Sequence, residues 1–361
     1  MVTHNKPLVP MHLGGPEIRI EQIDPLTDSS WDSQVRVQPD HSVFHLSVWA
    51  RVLTETYLHR PTYLKIWVEG AVAALVPLME VRSPITGRRG VSLPFADFCG
   101  PLWIEPRQRE RVYQALLGLA AERKWQHLEL RGGGVPAAGV ACLRTYSAHE
   151  LDLTSGISHV ASQFPASTRR SIRRADRSGL NISISHDSAA MLRFYQLHCH
   201  TRRRHGLPPQ PFAFFQSICR HLIEHGLGAI VLAEHAGMTV AGAVFFHSDG
   251  RAIYKFGASD KSHWDLRPNH GIMWRAIQYL ADSGCQSLHF GRTSNDDSGL
   301  LRFKHSWAAA EGPLRYFRYH TGRQTWIAAV KPPVECLPLV FGHLPLSINR
   351  IAGRLIYPHL D

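Results

Sequence analysis

The chain has 361 residues, of which 44% are hydrophobic and 19% are charged, a balance that excludes a disordered protein and suits two folded domains. Its formal net charge is +11, so the surface would attract a polyanion such as a nucleic acid, a phosphorylated cofactor or a lipid head group. A basic surface with no nucleic-acid role is the alternative. The six cysteines form no Cys-x-x-Cys pair, which argues against a cysteine zinc site or a disulfide framework and is typical of a reducing compartment.

Residues 1–150 are predicted to form a first α/β domain. Two apolar runs, 63–68 and 72–79, lie on either side of Gly70 as the strands of a hairpin would. The predicted helices lie near residues 28–37, 43–57 and 106–122. The start of the chain lacks the apolar core of a signal peptide, so we expect a cytoplasmic protein.

Residues 151–325 are predicted to form a second α/β domain with a mixed sheet. Its predicted helices lie near residues 157–164, 167–178, 188–205 and 268–282, followed by a short helix that bears Lys304. Its predicted strands are residues 150–153, 181–185, 229–235, 239–247, 251–258, 287–290 and 314–319.

The two halves repeat one order of elements about 160 residues apart, which predicts a duplicated domain. Gln126–Leu130 and Gln286–Phe290 are both Gln-x-Leu strands that follow an amphipathic helix. Val72–Leu75 and Val240–Ala243 both open the second strand of a hairpin. Chance similarity between two α/β segments is the alternative.

The last segment, residues 326–361, is predicted to be a tail that packs on the body of the protein or rests on a membrane surface. Its apolar run, residues 336–346, is short and interrupted by prolines. A transmembrane helix needs roughly 20 apolar residues, and no run in the sequence approaches that length. We therefore expect at most a peripheral contact with the inner face of the membrane.

The segment Gly299–Trp307 is the most informative in the sequence. Leu300, Phe303 and Trp307 have helical spacing and form one apolar stripe, with Lys304 beside it. A polar loop, residues 291–298, connects this helix to the preceding strand. A strand, a loop rich in hydrogen-bonding groups and a helix with a half-buried lysine predict one wall of an active site.

The order of elements resembles the GNAT acyltransferase fold, and two tandem copies resemble the FemAB-like branch of that superfamily. This branch includes the peptidoglycan interpeptide-bridge aminoacyltransferases and the BioF2-like acyltransferases. The resemblance rests on four segments: Thr168–Gly179, Ile253–Ser259, Pro268–Gly291 and Gly299–Trp307. In the first half, Phe98–Leu102 resembles the Gly-Pro turn of the family. The implied fold class is an α/β mixed sheet in tandem duplicated GNAT domains.

The resemblance implies a catalytic role for Lys304, because Phe303 and Lys304 match a Phe-Lys pair in the family. An ammonium at this position would hold the negative charge of a tetrahedral oxyanion, and Phe303 would contact the substrate. A surface lysine beside a core stripe is the alternative. Asp97, before the Gly-Pro turn, is a candidate general base. Asp296 and Asp297 could provide a base, but a cap of the following helix is favoured.

Four arginines with helical spacing form one face of the helix predicted near residues 167–178. They are Arg170, Arg173, Arg174 and Arg177. Arginine binds phosphate bidentately, so this face is a candidate substrate-binding surface for a diphosphate, with a solvated basic helix as the alternative. Tyr254, on a predicted central strand, is a candidate for the acceptor pocket or for the core.

The CoA-binding turn typical of GNAT enzymes is only partly present. Arg267, Asn269 and Gly271 are the candidate cofactor-binding residues, whereas His270 and Ile272 stand where small residues are expected. Glycines in such a turn let backbone N–H groups approach a pyrophosphate. We predict no permanently bound cofactor, and either acyl-CoA or aminoacyl-tRNA as the donor substrate.

The histidines do not predict a metal site. His198, His200 and His205 lie on one predicted helix, but the side chains of His198 and His200 point about 200° apart there. The two rings therefore cannot share an ion, and no metal ligands are assigned.

These features together predict a FemAB-like N-acyltransferase. It would move an acyl or aminoacyl group to an amine of a phosphorylated or lipid-linked cell-envelope or exopolysaccharide precursor, with tRNA as a possible partner. Transfer would be direct, because the sequence contains no recognisable Ser/His/Asp or Cys/His arrangement. One alternative is an acyl-CoA-dependent GNAT N-acetyltransferase acting on a polysaccharide or a small amine. Another is a non-catalytic basic protein that binds RNA or a membrane surface.

Overall fold

The computed structural model describes residues 17–328 and 341–360, which divide into two compact units. Of these residues, unit 1 holds 17–145, 314–328 and 358–360, and unit 2 holds 146–313 and 341–357. The sequence analysis placed the division at residue 150 and the end of the second domain at residue 325. The structure differs because the chain returns to unit 1 at Leu314, in a strand that pairs there.

The strands are numbered in chain order. They are β1 (Ile18–Ile23), β2 (Arg60–Pro61), β3 (Tyr63–Val68), β4 (Ala71–Val76), β5 (Met79–Ser83), β6 (Gly87–Val91), β7 (Leu102–Trp103), β8 (His127–Arg131), β9 (Arg144–Asp152), β10 (Asn181–Ser185), β11 (Gly228–His235), β12 (Met238–Ser248), β13 (Arg251–Ser259), β14 (Ser287–Thr293), β15 (Ala310–His320) and β16 (Thr325–Trp326).

The α-helices are numbered in the same way. They are α1 (Ser30–Arg36), α2 (Ser47–Tyr57), α3 (Arg109–Glu122), α4 (Ile157–Gln163), α5 (Ala166–Arg177), α6 (Ser188–Arg204), α7 (Phe212–His221), α8 (Pro268–Asp282), α9 (Ser298–His305) and α10 (Leu346–Ile356).

Unit 1 contains an antiparallel sheet in the order β1-β3-β4-β7. Strands β15, β8, β6, β5 and β2 lie side by side in that order, and β6 and β8 are parallel. The predicted hairpin is β3 and β4, joined at Glu69 and Gly70, which both have positive φ. Helix α3 buries Val112, Leu116 and Leu119 in the core between these strands, because their spacing puts all three on one helix face.

Unit 2 contains strands in the order β10-β11-β12-β13-β14-β9. Strands β13 and β14 are parallel, and their pairing covers only Arg251–Ile253 against Ser287–His289. Both strands continue well beyond this short ladder, β13 to Ser259 and β14 to Thr293. Beyond this ladder, β13 and β14 do not pair with each other. Their ends lie next to the loops that lead into α8 and α9.

Helices α5 and α8 pack closely beside this sheet at a glycine. Gly271 on α8 lies so near α5 and β10 that a Cβ atom there would be 2.5 Å from Ile182 Cδ1 and 3.1 Å from Ala175 Cβ. Ile272, Ile277 and Leu280 of α8 belong to the core. The position of α8 thus depends on the small size of residue 271.

The predicted tail, residues 326–361, falls partly outside the described residues, which omit 329–340 and 361. Helix α10 packs on α6 in unit 2. Beyond it, the Tyr357 hydroxyl accepts a hydrogen bond from Arg202 (2.7 Å) and lies 3.2 Å from the carbonyl oxygen of Pro208. Among the described residues, no helix is both long enough and apolar enough to cross a membrane.

The predicted helices of the second half agree with α4, α5, α6 and α8 to within two residues at each end. The analysis missed α7 and the pair β5 and β6. The segment that forms β6 is rich in glycine and arginine, and its residues alone favour a loop. Its strand form depends on a partner strand, on which buried Glu80 accepts hydrogen bonds from Arg88 (2.9 Å) and from the Trp125 indole (2.7 Å).

Candidate functional site

Helix α9, which carries the candidate lysine, begins with a side-chain cap. The Asp297 carboxylate accepts a hydrogen bond from the Leu300 backbone N–H at 2.9 Å, so the interpretation of this aspartate as a cap is confirmed. Lys304 is only 2% exposed, more buried than the half-buried position expected from the sequence. Its ammonium donates hydrogen bonds to the carbonyl oxygens of Gly291 (3.0 Å) and Arg292 (3.3 Å). A buried positive charge is thus anchored at the end of β14.

The apolar stripe of α9 meets the start of α8. The ring of Phe303 lies 5.9 Å from that of Trp307 and 5.5 Å from that of His270, measured between centroids. Trp307 is completely buried, and Phe303 packs against the same core. The sequence analysis treated His270 only as a departure from a glycine pattern, whereas the structure places it against both aromatic rings.

The four-arginine face of α5 lines an open pocket of about 580 Å³ together with Ser178 and Leu266. Its members are Arg170, Arg173, Arg174 and Arg177, and all four are exposed. The prediction that they share one helix face is confirmed by this common lining. Arg174 is held in place, because its Nε donates to the carbonyl oxygen of Asp265 at 2.5 Å. No hydrogen bond or ion pair links the other three guanidinium groups to the part of the chain that the structure describes.

The start of α8 adjoins this pocket through Leu266, the residue before Arg267. Arg267 has a φ of +60°, and its carbonyl oxygen accepts from the N–H groups of His270 and Gly271. The Asn269 amide lies 3.4 Å from the Ser259 hydroxyl at the end of β13. The role of Gly271 in a phosphate-binding turn stays a prediction, and the structure adds that the space on the Cβ side of this residue is filled by α5 and β10. This glycine therefore serves the packing of two helices.

Tyr254 is half-buried on β13 and packs on Phe245, with ring centroids 5.3 Å apart. Its hydroxyl lies beside Gly257, where a Cβ atom would be 1.8 Å from that oxygen. Burial raises the pKa of Tyr254 to about 12, so the hydroxyl keeps its proton at neutral pH. Glycine at position 257 is what allows the ring to lie along the strand.

Asp97 lies in unit 1, whereas all the other candidate residues lie in unit 2. It is 9% exposed, and its backbone carbonyl oxygen accepts a hydrogen bond from the Tyr316 hydroxyl at 2.5 Å. Its role as a general base remains a prediction. Within unit 2, Leu266 lines the pocket of the arginine face and lies just before α8. The ring of Phe303 contacts that of His270 in the first turn of α8.

Two buried side chains carry ring nitrogens whose lack of a partner was not predicted from the sequence. His149 on β9 and Trp307 after α9 are both completely buried, and neither side chain has a hydrogen-bond partner among the described residues. Nothing in the local sequence could reveal this, because the absence of a partner depends on which elements pack around each ring. The only available signal was the helical spacing that placed Trp307 on the apolar stripe.

Two histidines, the buried His198 and the half-buried His270, are expected to make unit 2 sensitive to acid. Burial, helped by the charge of Arg267, lowers the pKa of His270 to about 4, and burial, helped by Arg202, lowers that of His198 to about 3. The unfolded chain therefore binds more protons than the folded chain between about pH 4 and pH 6.5. The stabilisation is complete above pH 6.5, and the free energy of unfolding should fall by up to about 1.4 kcal/mol per pH unit for each histidine as the pH drops through this range.

Urea unfolding measured between pH 4 and pH 7 tests this expectation. The variants His270→Gln and His198→Gln should each flatten the curve, whereas the exposed control His225→Gln should leave its slope unchanged. Equal slopes for all four proteins would contradict the assignment.

Comparison with known proteins finds relatives of part of this chain. Residues 162–305 match the acetyltransferase (GNAT) domain. Lipid II:glycine glycyltransferase of Staphylococcus epidermidis is 32% identical over 81 residues, which is 21% of this chain and 20% of that protein. The enzyme of the same name from Staphylococcus aureus is 30% identical over 91 residues, 24% of this chain and 22% of that protein. The chain thus spans about a fifth of the length of these relatives.

Solved structures agree on the fold. The crystal structure of FemX has a TM-score of 0.62 at 16% identity and covers 82% of this chain and 96% of its own. A tandem GNAT protein from the clavulanic acid biosynthesis pathway has a TM-score of 0.56 at 9% identity and covers 85% of this chain and 99% of its own. The predicted tandem GNAT fold is therefore confirmed, as is the resemblance to the FemAB-like branch.

Proposed function

On the premise that this chain is an acyltransferase of the FemAB-like GNAT type, we propose that it transfers an aminoacyl group to an amine of a lipid-linked cell-envelope precursor. The observation that carries the proposal is the arginine-lined pocket of about 580 Å³ in unit 2. A lipid-linked precursor presents a diphosphate, and this anion matches a face of closely spaced guanidinium groups.

The charges around the pocket support an anionic ligand. Arg170, Arg173 and Arg177 make no ion pair with the described residues, and like charges on neighbouring helical positions repel one another. Binding a diphosphate would relieve this repulsion and satisfy donors that otherwise face water. The relatives named for lipid II support a precursor of that chemical class as the acceptor.

The reaction would be a direct acyl transfer. The acceptor amine attacks the ester carbonyl carbon of the donor, a C–N bond forms, and the C–O bond to the carrier breaks. The amine loses a proton, the leaving hydroxyl gains one, and negative charge passes through the carbonyl oxygen. The buried ammonium of Lys304 would stabilise the negative charge on that oxygen. It would also hold the Gly291–Arg292 backbone at the end of β14 in place.

The start of α8 bears on the choice of donor. His270 and Ile272 stand where a CoA-binding turn has small residues, and the His270 ring packs against that of Phe303. We therefore favour aminoacyl-tRNA over acyl-CoA. The description of the matching domain as an acetyltransferase supports acyl-CoA as the second candidate.

The test uses the full chain with lipid II as acceptor and mass spectrometry as readout. One reaction contains a mixture of charged tRNAs, a second contains acetyl-CoA, and a third contains uncharged tRNA. A mass gain of one amino-acid residue in the first reaction alone is the expected result. An acetyl gain in the second would shift the assignment to the acyl-CoA donor. No product in any reaction, with salt-sensitive RNA binding, would overturn the proposal in favour of a non-catalytic RNA-binding protein.

A further inference from the structure

Three possible metal ligands meet in unit 2 although they lie far apart in the sequence. They are His149 on β9, His305 at the end of α9, and Glu311 near the start of β15. One ligand atom from each residue lies within 4.8 Å of the other two. The Nε2 atom of His305 is 3.1 Å from the Glu311 carboxylate, and the two imidazole rings are nearly perpendicular, with centroids 4.7 Å apart.

The state of His149 is the second, independent observation. Its side chain is 0% exposed, yet neither ring nitrogen has a hydrogen-bond partner among the described residues. A buried polar group without a partner carries an uncompensated desolvation cost, so such groups are rare in folded proteins. A metal ion bound to one ring nitrogen would supply the missing partner.

We propose that His149, His305 and Glu311 bind a divalent transition metal ion, with zinc as the best match. Two imidazole nitrogens and one carboxylate oxygen are a common zinc ligand set, at about 2.0–2.2 Å from the ion. In a tetrahedral site of that size, ligand atoms lie about 3.4 Å apart. The His305–Glu311 separation of 3.1 Å is already close to this value, and separations of up to 4.8 Å need to shorten by at most about 1.4 Å, which side-chain rotation of the partly exposed His305 and Glu311 can supply.

The surroundings fit such a site. The exposed Glu311 carboxylate already lies beside the His305 ring, so both groups can turn toward one ion. His305 and Glu311 keep side-chain exposures of 50% and 40%, which leaves an open path and room for a water as the fourth ligand.

The ion would link three secondary-structure elements. It would join β9 and β15 to α9, the helix that carries Lys304 next to His305. The Lys304 ammonium is directed at the carbonyl oxygens of β14, where two acceptors offset its charge. This inference replaces the expectation of no metal ligands, which considered only histidines close together in the sequence. It does not depend on the proposed acyl transfer.

The test uses the full chain stripped of metal by chelation. Titration with Zn²⁺ alone, followed by calorimetry, should give one tight site, and Co²⁺ alone should produce the visible absorption of a low-symmetry cobalt site. Thermal unfolding should shift to higher temperature with Zn²⁺. His305→Gln and Glu311→Gln should each weaken Zn²⁺ binding at least tenfold, and both residues are exposed enough for these variants to fold. His149→Gln should do the same and is checked for folding by circular dichroism.

The matched control is His225→Gln, an exposed histidine of the same unit that lies outside the cluster. It should bind Zn²⁺ like the unmodified chain. The proposal is overturned if the chain binds no Zn²⁺, or if the three cluster variants bind it as tightly as the control. Either result would leave His305 and Glu311 as an ordinary ion pair beside a buried imidazole.

Discussion

Replacement of Lys304 by methionine should lower the rate of acyl transfer by about 10²- to 10³-fold, the usual effect of losing one group that stabilises an oxyanion. Methionine matches the length of lysine but carries no charge. It would also leave the carbonyl oxygens of Gly291 and Arg292 without their ammonium donor in a buried position. The same variant should therefore lose about 1–3 kcal/mol of folding free energy.

Single-turnover transfer rates and urea unfolding separate the two effects. Lys124→Met is the matched control, since that lysine is exposed in unit 1 and the substitution is chemically the same. A Lys304→Met variant with normal turnover would remove Lys304 from the site, whatever its effect on stability.

Removal of charge from the arginine face should weaken binding of the acceptor and leave folding nearly unchanged. Arg170→Gln and Arg173→Gln should each raise the KM for a diphosphate-bearing acceptor by about 10- to 100-fold, because hydrogen bonds between charged groups contribute about 1.5–3 kcal/mol. Stability should stay within about 0.5 kcal/mol, since both side chains are exposed. Loss of mutual repulsion could even raise it slightly.

The readout is KM against kcat at several salt concentrations. The unmodified chain should lose affinity for the acceptor as ionic strength rises, and the arginine variants should lose less, because fewer exposed charges remain to be screened. Arg275→Gln is the control, an exposed arginine on α8 that does not line the pocket. If KM for the acceptor is the same in all of these proteins, the pocket does not hold the diphosphate.

Helical spacing predicted the features that depend on one element alone. The arginines of α5 share a face because residues three and four apart are neighbours on any helix. The cap at Asp297 follows from the same local geometry, as does the stripe of Leu300, Phe303 and Trp307. The resemblance of short segments, in order, was enough to identify the tandem GNAT fold.

Gly271 shows what a local pattern leaves out. Its position in the sequence matches part of a phosphate-binding turn, yet the space beside it is filled by Ile182 and Ala175 from two other elements. Strand β6 was missed for the same reason. Its own residues favour a loop, and it is a strand because it pairs with the strand that carries buried Glu80, whose carboxylate accepts a hydrogen bond from Arg88. In both places the deciding contact is with a residue distant in the sequence.

The sequence by itself determined the fold family, the arginine face and the identity of Lys304 as the residue to examine. Only the tertiary structure decided what surrounds these residues. It directs the Lys304 ammonium to two carbonyl oxygens of β14 and brings His149, His305 and Glu311 within 4.8 Å of one another. The reason is physical: periodicity sets the face on which a side chain lies, whereas its partners, its burial and hence its charge state are set by the elements packed against that face.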